Sequence, residues 1–329
     1  MNQAEEILEI KDLCVQFNTV EGTVQAINHL DYKLHKGEKL GIVGESGSGK
    51  SVSSLGVMQL IPNPPGKITG GEILYKGEDI VKKSEKEMEK IRGNEISMIF
   101  QEPMTSLNPI IKCGSQIAES LRLHRGLKKK EAFAEAVEMM RAVGIANPEV
   151  RAHEYPHQMS GGMRQRVMIA MALACRPQIL IADEPTTALD VTIQAQILDL
   201  IRDLNEEMNT SVIFITHDLG VVRELCDNVI VMYTGRIVEK ASVKDLFNNP
   251  KHPYTKGLMN AIPRITKDRP PLETIEGSVP NPTEKIEGCS FWPRCPYATE
   301  RCKKEEPPVI NISDTRQVKC FLYEEKEAL

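Results

Sequence analysis

The chain has 329 residues, of which 41% are hydrophobic and 26% are charged, and its formal net charge is −5. This length and composition predict a folded protein with one large domain plus an appendage, or with two domains. The acidic balance disfavours nucleic acid as a partner. No apolar run approaches the ~20 residues that a membrane-spanning helix needs, and the N-terminus lacks a signal-peptide core, so we expect a cytosolic protein with reduced thiols.

The first 80 residues predict strands followed by a strand, a loop and a helix. Short, partly alternating runs at 7–17 and 23–34 are typical of strands. The compact apolar run KLGIVG (39–44) predicts a buried strand, and KSVSSLGVMQLI (50–61) has helical spacing. The segment GGEILYKGEDI (70–80) returns to strand character.

From about residue 85 to 175 the pattern is mainly helical, and beyond it strands and helices alternate. The apolar run in QILIADEP (178–185) predicts a buried strand, 192–209 a helix and 210–218 another buried strand. Residues 229–241 resemble a hairpin around the Thr-Gly pair at 234–235.

This alternation predicts an α/β fold with a largely parallel sheet covered by helices, interrupted by an inserted helical subdomain at about 85–175. From about residue 250 the sequence is rich in proline and charge and has no periodicity, which indicates a linker or an extended wrap. We therefore expect a main domain at 1–260 and a cysteine-bearing extension at 261–329.

The strongest motif is GESGSGKS at 44–51, which matches the G-x-x-x-x-G-K-[ST] pattern of a phosphate-binding loop. The glycines let the backbone turn tightly and aim N–H groups at phosphate, and the following helix adds its positive end. Lys50 can reach the β- and γ-phosphates, and the Ser51 hydroxyl can ligate Mg²⁺. The alternative is a chance turn rich in glycine and serine. The predicted phosphate site comprises Gly44, Glu45, Ser46, Gly47, Ser48, Gly49, Lys50 and Ser51.

Two further motifs carry chemistry. In ILIADEP, four apolar residues deliver Asp183 and Glu184 to the end of a buried strand. Asp183 suits the Mg²⁺ shell and Glu184 suits a general base for the attacking water, whereas a pair facing solvent is the alternative. Ser160, Gly161 and Gly162 directly precede a helix and make either an anion site or a simple helix cap.

Three further motifs accompany these: MIFQEP with Gln101, TALD (187–190) and FITHD (214–218). In identity and order, the whole set resembles the motifs of the ATP-binding cassette (ABC) ATPases, over roughly residues 7 to 260. The resemblance implies a P-loop ABC ATPase with a mixed sheet core, an N-terminal antiparallel β subdomain and an inserted helical subdomain. It also implies ATP and Mg²⁺ as ligands, with Gln101 sensing Mg²⁺ and the γ-phosphate.

Further roles follow from the same resemblance. Phe17 resembles the aromatic residue that stacks on adenine, although a core strand phenylalanine is the alternative. His217 resembles the switch histidine at the γ-phosphate, and Asp190 the residue that couples the two sites of a dimer. Ser160, Gly161 and Gly162 resemble the signature segment, which contacts ATP bound to the partner ATPase. The usual glutamine after this segment is Met163 here, so one polar side chain is absent.

Three stretches resemble the ATP-binding subunits of oligopeptide and dipeptide importers, a group that includes nickel uptake relatives: 96–110, 248–263 and 288–302. The first of them and the phosphate loop favour the D-type subunit. The resemblance implies an F-type ATPase partner (or a homodimer in isolation), two integral membrane permeases and an external solute-binding protein. The site of action would be the cytoplasmic face of the membrane, with 102–109 touching the permeases. A soluble ABC ATPase acting on nucleic acid and a non-hydrolysing regulatory subunit are the rival classes.

Four of the eight cysteines lie in the last 41 residues of the chain with the spacing C-x₅-C-x₆-C-x₁₇-C. The tight C-x₂₋₄-C knuckles of zinc sites are absent, and four thiolates fit a [4Fe–4S] cluster at least as well. The resemblance to peptide-importer subunits also implies an iron–sulfur cluster, with zinc, unmetallated thiols or a disulfide as alternatives. The predicted ligands are Cys289, Cys295, Cys302 and Cys320.

Overall fold

The computed structural model describes residues 5–101, 106–186, 191–261, 274–284 and 286–326. The chain forms two compact units. Unit one comprises Met1–Ile7, Leu34–Glu38 and Lys82–Phe214, and unit two comprises Leu8–Lys33, Lys39–Val81 and Ile215–Leu329. No helix in the described ranges is both long and apolar enough to cross a bilayer.

The described strands are β1 (Glu6–Thr19), β2 (Gly22–His35), β3 (Lys39–Val43), β4 (Gly66–Tyr75), β5 (Glu78–Asp79), β6 (Ile96–Ile99), β7 (Ile179–Asp183), β8 (Ser211–Thr216), β9 (Asn228–Tyr233), β10 (Arg236–Ser242), β11 (Ile310–Ser313) and β12 (Arg316–Val318). The described α-helices are α1 (Lys50–Val57), α2 (Glu85–Ile91), α3 (Cys113–Arg125), α4 (Lys129–Ala142), α5 (Pro148–Arg151), α6 (Gly161–Leu173), α7 (Val191–Met208), α8 (Leu219–Leu225), α9 (Val243–Asn248), α10 (Pro253–Asn260) and α11 (Glu300–Lys304). Four short 3₁₀ helices lie at Ile80–Lys82, Pro156–Gln158, Trp292–Arg294 and Phe321–Lys326.

Unit two contains the predicted antiparallel sheet, with the strand order β2-β1-β4-β5. Strand β1 pairs antiparallel with β4, and the register shifts near Asp12, whose φ is 49°. Opposite this bulge lies Gly71 (φ 87°), where a Cβ atom would approach the carbonyl oxygen of Asp12 to 2.4 Å. Only glycine fits this position, and the bulge re-aims the second half of β1.

A second, mixed sheet in unit two has the order β11-β12-β10-β9-β3. Strand β3 runs parallel to β9, and both are almost entirely buried. Strands β9 and β10 form an antiparallel hairpin whose turn residues Thr234 and Gly235 have φ values of 43° and 76°. Two consecutive positive φ angles are typical of a type I′ hairpin turn, so the predicted hairpin at 229–241 is confirmed.

The C-terminal tail adds two strands that the sequence pattern did not predict. Strand β12 pairs antiparallel with β10, and β11 pairs antiparallel with β12. The sequence did not predict these strands because short polar segments such as INIS and RQV give no periodic signal. A buried ion pair of 3.0 Å joins Arg316 on β12 to Glu239 on β10, and its side chains are 7% and 0% exposed. Removing one partner of such a pair leaves a buried charge, at a cost of about 3–5 kcal/mol.

Unit one contains parallel strands β6 and β7, with β8 next to β7. Strand β6 is fully buried, and it corrects the mainly helical interpretation of 85–175 because four apolar residues are too few to show a period. Helices α3 and α4 bury residues at helical spacing, which places one face of each in the helical core. Those residues are Ile117, Leu121, Ala132, Ala136 and Met140.

Candidate nucleotide site and cysteine cavity

The phosphate-loop motif joins the end of β3 to the start of α1 in unit two. The Lys50 side chain lies inside the loop, because its Nζ donates hydrogen bonds to the carbonyl oxygens of Gly44 (2.8 Å) and Glu45 (3.0 Å). The residue is only 6% exposed. A lysine held in this way places its ammonium group where the main chain curves around an anion.

Glycine is required at Gly49, just before α1. Its φ is 96°, and a Cβ atom there would lie 2.6 Å from the carbonyl oxygen of Ala26. The carbonyl oxygen of the neighbouring Ser48 accepts a hydrogen bond from the Gly235 N–H at 2.9 Å. Within the described residues, the buried Ser48 hydroxyl has no hydrogen-bond partner, which leaves a polar group in the loop for a ligand.

Two aromatic residues far away in sequence support this loop. The hydroxyl of Tyr254 accepts a hydrogen bond of 2.8 Å from the Glu45 N–H, so this amide is directed at Tyr254. The Tyr254 ring lies 4.7 Å from the ring of Tyr233, and burial raises the pKa of the Tyr254 hydroxyl. The sequence contained no signal for this support, because Tyr254 and the loop are about 200 residues apart.

In unit one, two separate motifs meet at the end of β7. Asp183 is buried at the last position of this strand. Glu184 follows with a φ of 45°, a left-handed conformation that is strained for a residue with a side chain. Gln101 Nε2 donates a hydrogen bond of 3.2 Å to the Glu184 carboxylate. The structure therefore brings Gln101 and Glu184 together, as expected if both surround one reacting water.

The SGG motif begins helix α6. Ser160 is the N-cap, and its hydroxyl accepts a hydrogen bond of 3.3 Å from the Met163 N–H. Gly161 is exposed, and a Cβ atom there would contact nothing within 4 Å. The cap is thus confirmed, and the open, glycine-lined helix N-terminus leaves room for an anion.

The remaining predicted residues are placed individually. Phe17 is half-buried on β1 opposite Gly66, where a Cβ atom would come within 2.7 Å of the phenylalanine ring. Ser51 lies in the first turn of α1, and His217 is exposed directly after β8. Asp190 and residues 102–105 of the predicted permease contact lie outside the described residues.

The four tail cysteines line one cavity of about 120 Å³. All four are free thiols. Within the described ranges, no group of three or more His, Cys, Asp or Glu side chains is arranged to hold a metal ion. Burial raises the pKa of Cys289 and Cys295 and raises the pKa of Cys320 to about 11. The neighbouring thiols raise these three pKa values further, because a second negative charge in the same cavity disfavours the thiolate.

Main-chain amides offset part of this effect. Backbone N–H groups two residues further along the chain lower the pKa of the thiols, because they stabilise the thiolate form. These groups belong to Phe291 for Cys289, Tyr297 for Cys295 and Leu322 for Cys320.

Comparison with known proteins identifies the family. Residues 27–187 match the ABC transporter model, and residues 238–302 match the C-terminal region of oligopeptide/dipeptide transporters. The chain is 52% identical to the oligopeptide transport ATP-binding protein AppD of Bacillus subtilis, over 98% of each chain. This chain belongs to the ABC family of oligopeptide and dipeptide transport ATP-binding proteins. The oligopeptide transport ATP-binding protein OppD of Escherichia coli is 50% identical over 97% of this chain and 94% of its own length.

The structural comparison agrees with this family. The ATP-binding cassette MJ0796, in a dimeric post-hydrolysis state bound to ADP and Pi, superposes with a TM-score of 0.65 and 29% identity. The match covers 72% of this chain and 98% of the cassette. The predicted mixed α/β ABC fold is therefore confirmed, and the chain is an ABC ATPase that hydrolyses ATP.

Proposed function

We propose that this chain hydrolyses ATP to power the import of dipeptides and oligopeptides through a membrane permease. Whole-length similarity to peptide transport ATP-binding proteins carries this proposal, at 52% identity over 98% of the chain. The buried Lys50 and the contact between Gln101 and Glu184 support a hydrolytically competent site. A nickel or other small-solute importer is the second candidate, since the extracellular partner sets the solute.

In the proposed chemistry, the loop amides and Lys50 would hold the β- and γ-phosphates, the Ser51 hydroxyl would ligate Mg²⁺, and Asp183 would belong to the Mg²⁺ shell. Glu184, which directly follows the strand-end Asp183, is the proposed general base that accepts the proton of the attacking water. Gln101, already bonded to Glu184, senses Mg²⁺ and the γ-phosphate. His217 contacts the γ-phosphate, and Phe17 stacks on adenine.

The functional unit is a pair of cassettes that sandwich two ATP molecules. Ser160, Gly161 and Gly162 contact the nucleotide bound to the partner, which is an F-type ATPase subunit, or a second copy in isolation. Asp190 couples the two sites. Closure requires that the closed pair bind ATP more tightly than the open pair, and product release then resets the cycle.

The remaining partners are two integral permease subunits and an external solute-binding protein. The chain acts as a peripheral subunit at the cytoplasmic face of the membrane, and residues 102–109 contact the permease. Residues 1–260 form the nucleotide-binding domain, with its helical subdomain at about 85–175, and residues 261–329 form the extension.

The cysteine cavity is the proposed site of a [4Fe–4S] cluster, which the four thiolates would hold, with zinc as the alternative. The four thiols that share one cavity, and the amides that stabilise their thiolate forms, fit a thiolate-ligated cluster. The ligands are Cys289, Cys295, Cys302 and Cys320, and a bound cluster ties these four points of the tail together. Equal iron and acid-labile sulfide in an anaerobic preparation support the cluster, whereas stoichiometric zinc without iron rejects it.

Uptake of labelled solutes tests the transport proposal. Cells lacking this subunit, and cells that regain it, are supplied with labelled dipeptides, longer peptides or nickel. We expect only peptide uptake to depend on the subunit. Subunit-dependent uptake of nickel alone would reject the peptide assignment and favour the second candidate.

A further inference from the structure

An arginine in the cysteine-bearing tail reaches the phosphate loop. Arg294 ends the short 3₁₀ helix Trp292–Arg294 and directly precedes Cys295. Its Nη1 and Nη2 atoms donate to the two carboxylate oxygens of Glu45 at 2.7 and 3.1 Å. This is the two-pronged geometry in which a guanidinium binds a carboxylate most strongly. The partners are 249 residues apart in sequence.

The guanidinium is built into its surroundings. Its side chain is 4% exposed. The Nε atom donates to the carbonyl oxygen of Glu276 at 3.1 Å, and Nη2 donates to that of Ile275 at 3.4 Å. Nη1 also lies 3.5 Å from the Tyr233 hydroxyl. A buried charge with this many partners differs from a surface ion pair, which contributes about 0–1 kcal/mol.

A second contact from the same tail segment supports the loop. The Phe291 ring is buried and lies 5.4 Å from the ring of Tyr254, which accepts the Glu45 N–H. Glu45 is therefore held at its side chain by Arg294 and at its main chain by Tyr254. The Glu45 carbonyl oxygen in turn accepts a hydrogen bond from Lys50 Nζ.

A continuous series of contacts thus runs from the cysteine loop to the phosphate-binding lysine. Arg294 and Phe291 lie between Cys289 and Cys295, so the chain that carries these two cysteines also carries both contacts. Loss of the Arg294 contact would remove one of the two ties on Glu45, so the segment whose carbonyl oxygen holds Lys50 would be held through Tyr254 alone.

We propose that Arg294 is a positioning residue for ATP binding: the cysteine-bearing tail holds the phosphate loop in its binding conformation through the Arg294–Glu45 ion pair. This inference rests on the proposed ATP-binding role of the loop. Arg294 does not act on the reacting atoms. Its effect falls on ground-state binding, so its loss raises the KM for ATP more than it lowers kcat.

The test measures MgATP affinity by calorimetry, ATP hydrolysis and thermal unfolding in the full chain. We expect Arg294→Ala to weaken MgATP binding about tenfold, the scale of one charge-assisted contact. Arg294→Lys should recover part of the affinity, and the isosteric Glu45→Gln should weaken binding similarly to Arg294→Ala. The double variant should be no weaker than either single one, because both remove the same contact.

Arg301→Ala is the matched control. Arg301 lies in the same tail and pairs with Glu305 and Glu324, but its side chain is 46% exposed. We expect its MgATP affinity to stay within about twofold of the wild type.

Unchanged affinity in Arg294→Ala, even with a lower melting temperature, would show that the residue is only structural and would overturn the proposal. An equal loss in Arg301→Ala would overturn it too, because any disturbance of the tail would then have the same effect. If Arg294→Ala fails to fold, Glu45→Gln and Arg294→Lys carry the same test. A wild-type chain that does not bind MgATP would instead reject the proposed nucleotide site itself.

Discussion

The phosphate loop and the cysteine cavity are the two chemical regions of unit two, and they are built in opposite ways. The loop is made of main chain: Gly44 and Gly49 have positive φ angles, and carbonyl oxygens hold Lys50. The cavity is made of side chains: four thiols surrounded by Phe291 and other aromatic residues. A site of main chain depends on backbone conformation, whereas a site of side chains depends on single atoms.

This difference determines what each region tolerates. In the loop, the backbone supplies the curvature, so that a Cβ atom at Gly49 would collide with the carbonyl oxygen of Ala26, and the Glu45 side chain anchors the curved segment to Arg294. At the cavity, Gly288 also has a positive φ (72°), but the lining is made by the thiol groups, and exchanging one sulfur for oxygen removes one of the four proposed ligands. Arg294 contacts the phosphate loop and directly precedes Cys295, so a change in the conformation of the cysteine-bearing tail should also change the conformation of the loop.

The largest effect on nucleotide binding is expected at Lys50, whose ammonium group lies inside the loop. Lys50→Ala removes a charge-assisted contact to phosphate and should weaken MgATP binding about 100-fold. Calorimetry on the full chain measures this loss, and Lys36→Ala, which removes an exposed lysine elsewhere, is the control. An unchanged MgATP affinity in Lys50→Ala would contradict the role of Lys50, because the loop would then bind ATP through its amides alone.

The next effect concerns the cavity. Cys295→Ser replaces one predicted ligand, and the anaerobically purified variant should contain less than about half of the wild-type iron, because losing even a residue that only hydrogen-bonds to a metal ligand costs about 10–100-fold in affinity. Elemental analysis measures the iron. Cys14→Ser, a change in the N-terminal sheet, should keep the wild-type content. Equal iron in both variants would show that Cys295 is not a ligand.

An effect on stability, with no change in the site's composition, is expected from pH at His252, which lines the cavity and caps α10. Burial lowers the pKa of His252 to about 3, and its Nδ1 accepts a hydrogen bond from the Tyr254 N–H. The unfolded chain binds a proton near the ordinary pKa of about 6.5, so the stabilisation is complete above pH 6.5 and is lost as the pH falls towards 3. The loss between pH 7 and pH 4 is on the order of 3 kcal/mol.

Denaturant unfolding at pH 7 and pH 4 measures this change. His252→Asn keeps a side-chain acceptor for the helix cap but does not titrate, so its free energy of unfolding should fall less over the same range. The same pH dependence in both proteins would contradict the assignment to His252.

The sequence predicted the main-chain region better than the side-chain region. GESGSGKS specifies its own conformation, because glycines and a following helix are local features, and the strand–loop–helix context was confirmed. The cysteine spacing indicated a cluster of thiols but contained nothing about Arg294 or Tyr254. Their contacts depend on long-range folding that brings the tail against the loop.

Short strands were missed for a different reason, which is their length. Strand β6 has four residues and β12 has three, too few for a period to emerge. The hydrogen bond from Gln101 to Glu184 joins motifs 83 residues apart, and only the resemblance to ABC ATPases indicated that they would meet.

The central claim is that ATP hydrolysis at Glu184 drives peptide import. The most direct test uses vesicles that contain this chain with its membrane partners, and measures ATP turnover and labelled-peptide uptake in the same sample. In Glu184→Gln, we predict that MgATP remains bound while turnover and uptake both fall by at least about 100-fold, as expected for the loss of a general base. Peptide uptake that continues in Glu184→Gln at the wild-type rate would contradict the account.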